Sequence, residues 1–76
     1  MDVQALAIFV QAQAAGSIAE AARRLRITSL TGARRLAALE EELGVRLLQR
    51  TTRSLSLTPE GEVFLPHAMA LLEADL

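Results

Sequence analysis

The sequence predicts a mainly α-helical fold with a three-helix core, a two-stranded β-hairpin and a long C-terminal helix. Apolar residues recur at helical spacing through most of the 76 residues. Capping residues and glycines divide this pattern into separate short helices. A polar segment around residue 50, flanked by two short apolar runs, is typical of a hairpin. A chain of this length forms one small domain.

The first two predicted helices are short and closely spaced. The first spans about residues 2–15 and ends at Gly16, a favoured residue at helix C-termini. The second begins after Ser17, which forms a capping box with Glu20, and runs to about Leu25. Three residues, 26–28, then form a tight turn.

The third predicted helix spans residues 28–42, with Thr28 as its N-cap and Gly44 closing it. Spacing of about 100° per residue divides its side chains between two faces. The inner face holds Gly32, Leu36, Leu39 and Leu43; the outer face holds Leu30, Thr31, Arg34 and Ala38, with Arg35 on the flank. Gly32 costs about 1 kcal/mol relative to alanine. We expect close packing on the small alanines of the second helix to offset this cost.

The last two predicted elements are the hairpin and the fourth helix. Strands at 45–49 and 55–57 enclose a polar tip at 50–54. Thr58 and Pro59 begin the fourth helix, in which Pro66 predicts either a kink or loosened first turns. Its apolar face is broader than one small domain needs and is cut off at Leu76. We therefore expect the chain to be a fragment of a longer protein.

Composition excludes several kinds of protein. The chain has no cysteine and only one histidine, His67, so it can form no disulfide and no histidine–cysteine metal cluster. We expect no cofactor. The N-terminus lacks the basic segment of a signal peptide, and no apolar run approaches the roughly 20 residues that span a bilayer. These features predict a cytoplasmic protein that does not enter membranes.

The charge distribution favours a nucleic-acid partner although the net charge is −1. All eight arginines lie between residues 23 and 53, where only three glutamates accompany them, so this stretch carries a net charge of +5. The two aromatic residues are too few for a platform that stacks single-stranded bases. Double-stranded DNA is the partner that this pattern predicts.

The order of the elements predicts a winged helix-turn-helix. Two helices joined by about three residues, the second basic, form the helix-turn-helix, and the hairpin forms the wing. The second of these helices fits the major groove, where Arg34 can bind guanine or phosphate through its fixed fork of donors. Thr28 and Ser29 can donate to a phosphate at the helix N-terminus. Arg50 and Arg53 can reach phosphates or a narrow minor groove.

Each of these signals alone also has an explanation without function. Arg34 and Arg35 can be solvated surface, residues 40–42 a solvated acidic turn, and His67 a packing residue. The alternative function is a protein-interaction module, with the winged helix as scaffold and the fourth helix as the partner surface. An enzyme is the least favoured class, because the chain has no cysteine, a single histidine and no glycine-rich phosphate loop, and we expect none.

The chain resembles the DNA-binding domain of LysR-type transcriptional regulators over essentially its whole length. Four segments carry the resemblance: AGS at 15–17, AEAARRL at 19–25, LEEELGVRLLQRT at 39–51 and LTPEG at 57–61. The resemblance implies a bacterial transcription regulator with a winged helix-turn-helix at 1–57 and a linker helix at 58–76 that pairs with its twin in a homodimer. Full-length members carry a C-terminal effector-binding domain, absent here, which binds a small molecule, and they act as tetramers on dyad-symmetric operators.

The resemblance also implies roles for individual residues. The base-reading positions in the major groove are Ser29, Leu30, Ala33 and Arg34. The positions directed at phosphates or belonging to the wing, residues 49–54, are Thr28, Thr31, Arg35, Arg50, Thr51 and Arg53. The dimer positions are Leu65, Met69, Leu72 and Leu76.

Two departures from the family pattern stand out. Arg26 replaces the usual glycine of the turn, so a left-handed conformation there would cost free energy. Residues 29–33, SLTGA, replace a sequence of the QPAVS type. Ala33 and Leu30 can then offer only apolar contact, for example to a thymine methyl group, and Arg34 is the main candidate for base contact.

Overall fold

The computed structural model describes residues 1–51 and 54–74. The helices are α1 (Val3–Ala15), α2 (Ile18–Arg24), α3 (Ser29–Leu43) and α4 (Pro59–Ala74), and the strands are β1 (Leu48–Arg50) and β2 (Leu55–Leu57). The two strands form an antiparallel hairpin in which Leu48 pairs with Leu57 and Arg50 with Leu55. The predicted mainly helical fold and the order of its elements are confirmed.

Strand β1 begins three residues later than the sequence predicts. Val45 does not enter the hairpin, because its backbone N–H donates to the Glu40 carbonyl at 3.2 Å and so belongs to the end of α3. Gly44 occupies the left-handed region there, with φ 75°, and its N–H also donates to Glu40. Helix capping thus takes up residues that alternation alone places in the strand.

Polar side chains cap all four helices. Asp2 accepts from Gln4 N, Ser17 from Glu20 N, Thr28 from Thr31 N and Thr58 from Gly61 N. The capping box at Ser17 is only half formed, because the Ser17 N–H already donates to the Ala12 carbonyl. The Glu20 carboxylate is bonded instead by the guanidinium groups of Arg23 and Arg24.

The turn between α2 and α3 places a non-glycine residue in the left-handed region. Ile27 N donates to Ala22 O at 2.9 Å and Arg26 N to Arg23 O at 3.2 Å, which is the Schellman pattern of helix ends. Arg26 occupies the position that usually holds glycine and has φ 60°. Arg26 thus adopts the left-handed conformation, which costs a residue other than glycine about 1–2 kcal/mol.

The core is built around α1, which packs against α2, α3 and α4. Ile8 and Phe9 of α1 are fully buried, as is Leu47 before β1. The Phe9 ring meets Phe64 of α4 with centroids 5.9 Å apart, a tilted contact within the favourable range. Helix α4 runs through Pro66, which is exposed, and buries Ala68 against α1.

Two buried helical glycines differ in the space around them. A Cβ at Gly32 would lie 3.5 Å from the Ala22 Cβ, an ordinary van der Waals contact. The expectation that α3 needs a glycine there for close packing is therefore wrong, since a methyl group fits. At Gly61 a Cβ would lie 2.1 Å from the Leu47 carbonyl oxygen, which leaves no room for any side chain.

Candidate nucleic-acid interface

Helix α3 exposes the face that the sequence assigns to DNA. Leu30 is 59% exposed, and Ser29, Ala33 and Arg34 are exposed as well. The opposite face is buried through Gly32, Leu36 and Leu39. The division into an inner and an outer face is confirmed, because helical periodicity alone determines which side chains share a face.

An open cleft of about 540 Å³ joins three segments of the chain. It is lined by residues 16–19 at the start of α2, by Ser29, Leu30 and Ala33 on α3, and by hairpin residues that include Arg50 and Thr51. The structure thus brings predicted base-reading and wing residues together on one surface. Arg34 follows Ala33 on the exposed side of α3 and does not line the cleft.

The hairpin is held against the helices at its base and is closed at its tip by a threonine. Leu55 N donates to the Gly16 carbonyl at 3.4 Å, next to the start of α2. The Thr51 hydroxyl donates to the Ser54 carbonyl at 2.8 Å and accepts from Ser54 N at 3.1 Å. The Thr51 hydroxyl predicted to contact DNA therefore serves the turn. Arg53 lies outside the described residues.

Ion pairs divide the arginines into two groups. Arg23 and Arg24 bind Glu20, Arg35 binds Asp2 at 3.0 Å, and Arg46 lies 3.6 Å from Glu40. Within residues 1–51 and 54–74, the side chains of Arg26, Arg34 and Arg50 form no ion pair or hydrogen bond. These three exposed guanidinium groups are available to an anionic partner.

Arg35, predicted as a phosphate contact, is shared with the N-cap of α1. Desolvation tends to raise the pKa of Asp2, but the hydrogen bonds from Arg35 and from Gln4 N outweigh it and hold the pKa below its usual range. Both side chains of the pair are nearly half exposed, so the attraction is screened and weak. A phosphate would have to compete with Asp2 for this guanidinium.

The threonines at the start of α3 form a short hydrogen-bonded chain. The Thr28 hydroxyl accepts from Thr31 N at 3.1 Å and donates to the Thr31 hydroxyl at 2.8 Å. The Thr28 hydroxyl therefore donates its proton to a hydrogen bond within the protein. The Thr31 hydroxyl, which accepts that bond, keeps its own proton for an outside acceptor.

Glu40 has a structural role that sequence reasoning missed. Its Oε2 accepts from Leu47 N at 2.7 Å and from Leu48 N at 3.2 Å, and its side chain is only 12% exposed. The interpretation of residues 40–42 as a solvated turn is wrong for Glu40, although Glu41 and Glu42 are exposed. Its spacing of four residues from buried Leu36 was the available signal.

Helix α4 uses much of its apolar stripe inside the protomer. Leu65 and Leu72, predicted as dimer contacts, pack against the core of the same chain. Met69 is 50% exposed and Val63 is 70% exposed. The fourth predicted dimer residue, Leu76, lies outside the described residues.

Neither a metal site nor a membrane span is found in the described part of the chain. Residues 1–51 and 54–74 contain no group of three or more His, Cys, Asp or Glu side chains placed to hold a metal ion. None of the helices formed by these residues is both long and apolar enough to cross a bilayer.

Sequence comparisons identify regulators as relatives. The model of the family described as "Bacterial regulatory helix-turn-helix protein, lysR family" matches residues 3–62. The probable regulator LtrA of Klebsiella pneumoniae is 46% identical over 69 residues, covering 91% of this chain and 22% of that protein. A probable hydrogen peroxide-inducible genes activator of Mycobacterium xenopi is 47% identical over 72 residues, covering 95% and 36%. The chain thus spans only about a fifth to a third of these relatives.

Solved structures with the same fold include complexes with DNA. A complex of the BenM DNA-binding domain with catB site 1 DNA has a TM-score of 0.90 and 38% identity, covering 97% of this chain and 83% of that one. A complex of the CbnR DNA-binding domain with DNA has a TM-score of 0.91 and 39% identity, covering 99% and 86%. The winged helix-turn-helix fold and the expectation of a non-enzymatic domain are confirmed by these neighbours. The family match extends from α1 into α4, and the chain therefore belongs to the LysR family of bacterial regulatory helix-turn-helix proteins.

Proposed function

We propose that this chain binds double-stranded DNA sequence-specifically, as the DNA-binding domain of a transcription regulator. The observation that carries the proposal is the shared cleft, where the exposed start of α3 and Arg50 of the hairpin open on the same side. A helix fits the major groove, and a hairpin beside it reaches the flanking backbone. The complexes of BenM and CbnR with DNA support the proposal.

Base reading is assigned to the exposed face of α3. Arg34 is the charged residue of this set, and its unpaired guanidinium can donate two hydrogen bonds to guanine O6 and N7. Leu30 and Ala33 present apolar surface suited to thymine methyl groups, and Ser29 can donate or accept at a base edge. The recognition helix is thus assigned a mixed apolar and cationic reading surface.

Backbone binding is assigned mainly to Arg50 and to the Thr31 hydroxyl. The hairpin pairing fixes the backbone at Arg50, and the Thr31 hydroxyl accepts a hydrogen bond from the Thr28 hydroxyl. Arg53, which lies two positions after Thr51 in the sequence, is assigned the same role. Contacts to phosphate position the protein, whereas contacts to base edges select the sequence.

The first test separates these two roles with single substitutions. Arg34→Ala is expected to weaken binding to a preferred duplex, selected from a random library, by about 1–3 kcal/mol and to relax selectivity. Arg50→Ala should weaken binding to all duplexes and reduce the slope of log K against log salt by about 0.9 per protomer. Both effects are measured by fluorescence anisotropy at several salt concentrations.

Arg23→Ala is the matched control, because this arginine is already bonded to Glu20 and its loss changes the net charge by the same amount. Equal losses on preferred and random duplexes for both Arg34→Ala and Arg50→Ala would contradict the division of roles. Absent or salt-insensitive binding by the unchanged chain would favour the protein-interaction module instead.

We also propose that the chain acts as a homodimer through α4, within a cytoplasmic regulator that is tetrameric at full length. Its effector, a small molecule, would bind a C-terminal domain beyond this segment. Helix α4 supports the dimer because Met69 and Val63 are exposed on it. They lie beside the apolar residues of α4 that pack against the core of the same protomer. The linker-helix division at residues 57 and 58 belongs to the same proposal.

Met69→Glu tests the dimer without removing a core residue. The variant is expected to be mainly monomeric at concentrations where the unchanged chain is a dimer. Dimerisation would bury the introduced carboxylate of each protomer, and the two carboxylates would repel each other or lose their hydration. Multi-angle light scattering measures the mass, and circular dichroism checks the fold. Ala14→Glu, on the exposed part of α1, is the control. A variant that dimerises as strongly as the unchanged chain would remove α4 from the interface.

A further inference from the structure

Arg26 occupies a backbone position that disfavours it. It follows the last turn of α2 in the Schellman pattern and has φ 60°, where glycine has no steric penalty and arginine does. The backbone hydrogen bonds of the turn come from main-chain groups alone, so a glycine would form all of them. The local fold therefore gives no reason for an arginine at this position.

The side chain of Arg26 is also unusual among its neighbours. Arg23 and Arg24 lie within three residues of it, and Glu20 bonds both of them. Arg26 is exposed and forms no ion pair or side-chain hydrogen bond within the described residues. The strain at Arg26 is thus not offset by an ion pair or a side-chain hydrogen bond inside the described part of the protein.

The turn places this free cation beside the end of α3 that the proposed function directs into DNA. Arg26 is two residues before Thr28, the N-cap of α3, and two residues span at most about 7 Å. An extended arginine side chain covers a similar distance. Its guanidinium can therefore reach the phosphates that border a groove occupied by Ser29 and Leu30.

We propose that Arg26 is a further DNA-contact residue, whose guanidinium binds a backbone phosphate beside the N-terminus of the recognition helix. This inference rests on the proposed function and adds a contact outside helix α3 and the hairpin. A phosphate contact carries no base information, so Arg26 adds affinity for every duplex equally. Arginine at this position then lowers the stability of the fold and raises the affinity for DNA.

Arg26→Gly tests this opposition directly. The variant is expected to raise Tm by about 4–8 °C, because glycine adopts φ 60° without strain. It should also bind selected and random duplexes roughly 5- to 10-fold more weakly, with a salt slope smaller by about 0.9 per protomer. Thermal unfolding and anisotropy titrations at several salt concentrations measure the two effects.

Two further variants isolate the contact. Arg26→Lys keeps the charge and should retain the salt slope of the unchanged chain. Arg23→Ala removes the same charge from a neighbouring residue whose guanidinium is bonded to Glu20, and it should change the slope much less. An equal fall in the slope of log K against log salt for Arg23→Ala and Arg26→Gly would show that only the net charge matters. That result would overturn the Arg26 contact.

The outcomes also distinguish this inference from the proposed function. Salt-dependent duplex binding by the unchanged chain, with Arg26→Gly binding equally well, would overturn the Arg26 contact and leave the proposed function intact. A loss confined to the selected duplex would assign Arg26 to base reading and contradict a phosphate contact. Absence of duplex binding by the unchanged chain would overturn the proposed function itself.

Discussion

Gly61→Ala is expected to lower the free energy of unfolding by about 3 kcal/mol. The added Cβ would lie 2.1 Å from the Leu47 carbonyl oxygen and 3.0 Å from its carbonyl carbon. Both are backbone atoms of a fully buried residue, so no side-chain rotation can relieve the overlap. The same oxygen accepts from Thr58 N at 3.0 Å, and moving α4 away would weaken that bond as well.

Such a loss is large for this domain, whose total stability is expected to be roughly 5 kcal/mol. Urea unfolding followed by circular dichroism measures the change. Gly32→Ala is a matched control, because it is the same substitution at another buried helical glycine. There the methyl group fits at 3.5 Å from the Ala22 Cβ, and stability should rise by up to about 1 kcal/mol. Equal midpoints for the two variants would show that α4 does not approach Leu47 this closely.

Glu40→Ala is expected to lower the free energy of unfolding by about 2–3 kcal/mol. The carboxylate accepts from the backbone N–H groups of Leu47 and Leu48, both of which are buried, and lies 3.6 Å from Arg46. Removing the acceptor takes the partner from the N–H groups of two buried residues, which costs far more than losing bonds exposed to water. The anchor between α3 and the start of β1 would be lost with it.

Glu40→Gln should cost less than the alanine variant, because its amide oxygen can still accept from Leu47 N. Glu41→Ala is the control, since Glu41 is exposed and should be close to neutral. Chemical denaturation of the three variants at one pH gives their order of stability. If Glu40→Ala is as mild as Glu41→Ala, the carboxylate does not anchor the hairpin.

The parts of the fold that depend on neighbouring residues could be predicted from the sequence. Ser17, Thr28 and Thr58 cap helices as expected, because a cap involves a side chain and a backbone group three residues away. The inner and outer faces of α3 could also be predicted from the sequence, since helical periodicity is a local property. The left-handed conformation of Arg26 was indicated by the family resemblance, because glycine usually holds this position there.

The parts that depend on distant partners could not be predicted. Asp2 and Arg35 are 33 residues apart in the sequence, and no local pattern indicates that they meet. The contact between Gly61 and Leu47 likewise requires knowing how α4 crosses the chain before β1. Periodicity identified the apolar stripe of α4 but not what covers Leu65 and Leu72, and the structure assigns both to the protomer's own core.

Under the proposed function, the internal pairing of four arginines bears on how the domain would find its target in a chromosome. Each guanidinium held by Asp2, Glu20 or Glu40 releases fewer counterions from DNA than a free one would. Attraction to random sequence should therefore be weaker than the count of eight arginines suggests. Random sites vastly outnumber operators in a genome. Weak non-specific binding to them therefore leaves more of the protein free to bind its operator.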